Sequence, residues 1–228
     1  MTVIVRHGKS ELALHQIREG DGPSAIVLHG LGEKSDNVLT RVVDDGWPGG
    51  AVWALDFLGH GASTRPPGGG YTCETLMADV DAALRHTGPA TVLGRGIGAY
   101  IAVLISGARP DNVRGAVLCD GPGLFGGGPS PSSPVVLQPT RRDDAPADSP
   151  DPFALSELSR DVRPPDYAAN FARQTLSLSP LDVPITVCAI ARPDWMLAIL
   201  GQPGVQEGSL DEAMKLYGAA NYGATTIE

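Results

Sequence analysis

The chain has 228 residues, 42% of them hydrophobic, with 29 glycines, 20 prolines and a formal net charge of −9. That size fits one α/β domain with a small insertion, and the apolar share supplies a sizeable core, which excludes global disorder. The negative charge argues against a nucleic-acid partner, whose phosphates this surface would repel.

Residues 3–6 and 12–18 read as two antiparallel strands joined by a turn at Gly8-Lys9-Ser10. Residues 25–29 and 51–56 are short apolar runs that read as buried parallel strands, with a helix expected over 37–45 between them. Residues 73–86 place Leu76, Val80, Ala83 and Leu84 on one helical face, opposite acids. Residues 91–93 give a third buried strand, 98–109 a mostly apolar helix, 114–119 a fourth strand and 185–190 a fifth. Strands alternating with helices imply a mostly parallel sheet with helices on both faces and right-handed crossovers.

Residues 121–150 are rich in glycine, proline and serine and break the alternation, the mark of a lid or inserted loop. Asp151 and Pro152 read as N-cap and first turn of a helix to 159, with a second helix over 166–176. Helices are also expected over 195–200 and 209–217, and the start of a final strand over 224–227. The organisation expected is a core over 1–120, a loop-rich cap over 121–180 and the rest of the core over 181–228.

No run of about 18 apolar residues exists, so no membrane-spanning helix is expected, and the N-terminal apolar run is too short for a signal peptide. Cys73, Cys119 and Cys188 are odd in number and widely spaced. They suit a reducing cytoplasm, the expected location, and give no disulfide framework; no metal or cofactor is expected. Cys119 and Cys188 read as small core residues, whereas the helix start at Cys73 would lower its thiol pKa.

Three motifs follow successive strands. His29-Gly30-Leu31-Gly32 is either a plain glycine turn or a loop offering the Leu31 N–H to a developing oxyanion. Asp56-Phe57-Leu58-Gly59-His60-Gly61-Ala62-Ser63 is a turn whose glycines allow tight bends and whose polar groups satisfy the backbone, which makes His60 a loop residue. Gly94-Arg95-Gly96-Ile97-Gly98-Ala99 has two readings. One is the sharp strand-to-helix turn G-x-S-x-G, in which Ile97 gives a second oxyanion N–H at the positive end of the following helix. The other is a dinucleotide loop G-x-G-x-x-[G/A], with Asp120 meeting a ribose hydroxyl. Motif order favours the first, because a dinucleotide loop normally follows the first strand of its unit.

With HGLG, DFLGHGAS and GRGIGA in this order and register, the chain resembles the α/β-hydrolase fold family, in its serine esterase or lipase-like branch. The likeness covers most of residues 20–195 and includes the proline-led strand at Val183-Pro184-Ile185-Thr186-Val187. It implies an α/β-hydrolase sheet, a catalytic acid at Asp194 in the loop after that strand, with Asp120 as fallback, and an oxyanion site formed by Leu31 and Ile97. Asp194 alternatively reads as an N-cap.

Two family features are missing. The nucleophile position holds Gly96, which has no side chain, and the histidines are His7, His15, His29, His60 and His86, all in the first half. The family's histidine lies in a loop after the last strands, so the chain is expected to end about where that loop begins. Without serine and base there is no activated nucleophile. The reading is a catalytically impaired hydrolase relative with a pocket for a small apolar acyl or ester-like ligand, lined by Leu124, Phe125, Phe153, Tyr167 and Phe171. The Leu31 and Ile97 N–H groups are expected to converge on an empty site above Gly96. The alternatives are an altered or truncated form of an active serine esterase, and a nucleotide-binding protein using GRGIGA.

Overall fold

A computed structural model describes residues 1–127 and 146–219. Its strands are β1 (Thr2–His7), β2 (Ser10–Arg18), β3 (Ser24–Leu28), β4 (Val52–Leu55), β5 (Ala90–Arg95), β6 (Val113–Cys119), β7 (Ile185–Val187) and β8 (Val205–Glu207). Its helices are α1 (Val38–Gly46), α2 (Cys73–Thr87), α3 (Ile97–Ala108), α4 (Pro152–Arg160), α5 (Pro165–Leu178), α6 (Asp194–Leu200) and α7 (Leu210–Gly218). The strands form one eight-stranded sheet in the order β1-β2-β4-β3-β5-β6-β7-β8. β2 runs antiparallel to β1 and β4, and every later neighbour pair is parallel.

The apolar runs explain this layering. β3 and β5 are buried along nearly their whole length, as strands covered on both faces must be. One face packs against α2, α3, α5 and α6 around Leu28, Val92, Leu118 and Trp195. The other packs against α1 and α7, through Leu39, Val43, Met214 and Tyr217. All residues of α3 from Ile97 to Gly107 are buried. A helix apolar all round needs cover on every side, here from the sheet, α2 and α5. Each of its fully buried Ile, Val and Leu side chains contributes about 1.5–3 kcal/mol.

α4 is tied to the loop after β4. Asp151 caps it by accepting from Phe153 N–H (3.1 Å) and takes the Tyr71 hydroxyl at 2.7 Å, and Glu157 accepts the N–H groups of Gly70 and Tyr71, both at 2.7 Å.

The structure departs from expectation at the C-terminal side. β7 stops at Val187, not residue 190, because Asp120 captures the N–H groups of Ile190 (2.7 Å) and Ala191 (3.0 Å) and bends the chain off the sheet. A strand unforeseen in the sequence, β8, pairs with β7 over Val205–Glu207. The N-cap of α6 is Pro193, and Asp194 is its first helical residue. The strand expected over 224–227, and residues 128–145 of the expected cap, lie outside the described residues.

Candidate functional site

β5 ends at Arg95 and α3 starts at Ile97, so Gly96 alone makes the reversal. Its φ of 59° and ψ of −124° lie where glycine is unstrained and other residues are not. Its N–H donates to the carbonyl of Cys119 on β6 at 3.1 Å.

Leu31 and Ile97 are brought together here. Both N–H groups donate to one oxygen, the carbonyl of Pro122, each at 3.0 Å. The site above Gly96 is therefore filled by the chain itself, against the expectation of an empty one. The seat is close: a Cβ on Gly96 would fall inside the Pro122 oxygen, and one on Gly123 would lie 2.7 Å from Leu31 Cβ. Gly123 has a φ of 75°, so Gly121-Pro122-Gly123 lays bare backbone onto the elbow. Just downstream, the Leu124 carbonyl accepts from Trp195 Nε1 at 2.9 Å and anchors the segment to α6.

The loops bordering the elbow are held by buried rings. His29 Nδ1 donates to the Gly30 carbonyl (2.7 Å) while its Nε2 accepts from Phe57 N–H (3.1 Å). His60 does the same, Nδ1 to the Leu58 carbonyl (3.1 Å) and Nε2 from Gly32 N–H (3.2 Å). A ring nitrogen that accepts cannot carry a proton, so both rings are neutral. Burial, and then the neighbouring His60, lower the His29 pKa to about 3; burial lowers that of His60 as well.

Asp56 opens the DFLGHGAS turn and accepts from Ser35 N–H (2.7 Å), Ala62 N–H (2.9 Å) and His15 Nε2 (3.0 Å). Burial alone would raise its pKa, but His15 and the backbone donors outweigh it and hold the carboxylate well below its usual range. Ser63 closes the turn by donating to the Asp56 carbonyl at 2.6 Å.

The two candidate acids are held differently. Both oxygens of Asp120 are taken by Ile190 and Ala191. Asp194 is exposed on the first turn of α6, and no hydrogen bond or ion pair reaches its carboxylate among the described residues. The loop after β8 holds Gly208 and Ser209, and Ser209 forms a capping box with Glu212 at the start of α7.

Of the expected pocket residues, Leu124 is buried, while Phe153, Tyr167 and Phe171 are partly buried against the core. Phe125 is 62% exposed, and Phe171 packs at Gly107, near the far end of α3 from the elbow. A cavity of about 420 Å³ opens beside the elbow, lined by Gly32, Glu33, Lys34, Arg95 and Asp148 among others. Glu33 there accepts from Gly30 N–H at 2.9 Å and pairs with Arg95.

Ser106 and Cys73 do not replace the missing serine. Ser106 is buried and donates to the Val103 carbonyl at 2.8 Å. Burial pushes the Cys73 thiol up, the opposite of the shift expected at a helix start. Among the described residues no His, Cys, Asp and Glu cluster could hold a metal ion, and no helix is long and apolar enough to cross a membrane.

Residues 25–222 match the model of the alpha/beta hydrolase family, and the chain belongs to that family. Est1E from Butyrivibrio proteoclasticus, solved with ferulic acid bound, has a TM-score of 0.66 at 13% identity, over 93% of this chain and 96% of that one. The thioesterase domain from the curacin biosynthetic pathway gives 0.64 at 15% identity, over 95% and 98%. These two likenesses show the fold. Alpha/beta hydrolase domain-containing protein 10 from mouse is matched at 20% identity with a TM-score of 0.47, over 52% of this chain and 49% of that one. No curated protein matches the chain in sequence.

Proposed function

We propose that the chain is a non-hydrolytic α/β-hydrolase relative that binds a small apolar acyl or ester-like molecule through the Leu31 and Ile97 N–H groups. The observation that carries this reading is the Pro122 carbonyl held by both donors. It stands in for the carbonyl oxygen of an acyl ligand, the atom such paired donors hold in acyl-transfer sites. A ligand carbonyl would compete with Pro122 for them. Gly96 offers no side-chain atom to form an acyl-enzyme, and the five histidines all stand in the first half of the chain. Leu124 and Phe153 supply apolar surface nearby, and α4 overhangs the Leu31 loop, its Leu155 lying 3.2 Å from a Cβ placed on Gly32.

The nucleotide alternative is less favoured, because GRGIGA follows β5, after the β3 and β4 units, whereas a dinucleotide loop normally follows the first strand of its unit. The dihedral angles of Gly96 favour one second reading, an altered form of an active serine esterase, since they keep the sharp turn that would present a serine.

The test uses the ¹⁵N-labelled full chain. Ethyl butyrate is expected to shift the Leu31 and Ile97 amide resonances saturably, while p-nitrophenyl butyrate releases no p-nitrophenol above the buffer rate. Release proportional to protein concentration, or unmoved Leu31 and Ile97 resonances, would overturn the proposal. Turnover confined to a Gly96→Ser variant carrying a C-terminal histidine-bearing extension would favour the altered esterase.

A further inference from the structure

Cys119 ends β6 and Cys188 follows the last residue of β7, and the pairing of Leu118 with Val187 sets them side by side. The N–H groups of Cys188 and Ala189 both donate to the Leu118 carbonyl at 2.8 Å, which keeps residue 188 alongside β6. Neighbouring strands stand roughly 4.8 Å apart, within the Cα separation a disulfide spans. Both side chains lie on the α1 and α7 face against the same cluster, and both are partly exposed rather than enclosed in the core. The neighbouring Cys119 thiol holds the Cys188 thiol below the usual range, while the neighbouring Cys188 and burial push Cys119 up.

We propose that Cys119 and Cys188 are a redox-active dithiol that closes to a disulfide on reaction with a small disulfide oxidant such as glutathione disulfide. Cys188 is the attacking thiol. Its thiolate bonds to one sulfur of glutathione disulfide, that S–S bond breaks, and one glutathione leaves. Cys119 then loses its proton to solvent and attacks the Cys188 sulfur, expelling the second glutathione. The protein gives up two electrons and two protons, and one glutathione disulfide becomes two glutathiones. The new bond staples the strand ends that flank the elbow, since Cys119 carries the carbonyl that Gly96 binds and Asp120 follows it. Cys73 is buried on the opposite face and serves as the internal control.

The full chain is incubated with glutathione disulfide, its remaining thiols are alkylated after denaturation, and the peptides are mapped by mass spectrometry. Of the three cysteines, only Cys73 should then be alkylated, with the peptides of Cys119 and Cys188 joined and released by dithiothreitol. In Cys119→Ser, Cys188 should instead keep a glutathione as a mixed disulfide. All three cysteines alkylated, a bond to Cys73, bonds only between chains, or no glutathione on Cys188 in a folded Cys119→Ser would overturn the proposal. Should that variant fail to fold, the wild-type peptide map decides alone.

Discussion

Pro122 places its carbonyl oxygen 3.0 Å from the amide nitrogen of Ile97, and the same oxygen takes the Leu31 N–H at the same distance. Ile97 is the first residue of α3, whose leading N–H groups have no partner within the helix. The Pro122 carbonyl supplies one and sets a negative dipole end against the positive end of α3. The elbow is thus closed by packing and hydrogen bonding at once.

Adding a side chain at position 96 should expel that carbonyl. Gly96→Ala is expected to lower stability by at least the about 1–3 kcal/mol of positive-φ strain, because its Cβ also meets the Pro122 oxygen. Urea unfolding measures this. An unchanged midpoint would contradict the seat described.

The carbonyl, not the ring, of Pro122 is engaged, and its ring is exposed. Pro122→Ala should therefore cost only about 0.4–1 kcal/mol, from a freer unfolded chain. Gly123→Val should cost clearly more, since a β-branched residue resists a φ of 75° and its Cβ presses on Leu31. Paired unfolding curves compare the two. Equal losses would mean that the backbone of this segment is not seated.

The two candidate acids should separate in the same assay. Asp120→Ala removes a charged acceptor from two N–H groups and should cost about 2 kcal/mol, with faster amide exchange at Ile190 and Ala191. Asp194→Ala should stay within about 1 kcal/mol, the range of an exposed charge at a helix start. A larger loss for Asp194 than for Asp120 would reverse these assignments.

Much of this was readable from residues alone. The buried apolar runs gave β3 to β6, and the glycine-bearing loops after them gave the family and the convergence of Leu31 with Ile97. Pro122 was not readable, because its role belongs to a backbone carbonyl, which sequence does not label. The run Gly121-Pro122-Gly123 after Asp120 was the available signal, a segment with little side chain to keep it off the elbow. β8 escaped notice because three residues, Val205–Glu207, are too short for any alternation to show. The partners of Asp120 were not readable for a similar reason: a carboxylate after a strand reads as chemistry, and only the fold reveals the two N–H groups it holds.

Acid should weaken the fold before it protonates the carboxylates. Above pH 6.5 His29 is neutral in both states and its site is at full stability. Below 6.5 the unfolded chain binds a proton that the folded chain refuses down to about pH 3, which costs about 1.4 kcal/mol per pH unit. From 6.5 to 5 the loss from His29 is about 2 kcal/mol by that slope, and His60 shifts in the same direction. His7 opposes it: its bond to Asp79 raises its pKa, so it stabilises at low pH and loses that contribution as pH rises through the folded value. A side chain 33% exposed makes this the smaller effect. Urea midpoints at pH 7.5 and 5 should therefore fall with acid, and a flat profile would contradict the neutral buried rings.

The most direct measurement is through-hydrogen-bond scalar coupling in the ¹³C,¹⁵N-labelled full chain without ligand. Correlations from both the Leu31 and the Ile97 amides to the carbonyl carbon of Pro122 are expected, with slow exchange of both protons. Amides that exchange at solvent rates and show no correlation to Pro122 would contradict an elbow closed by its own chain.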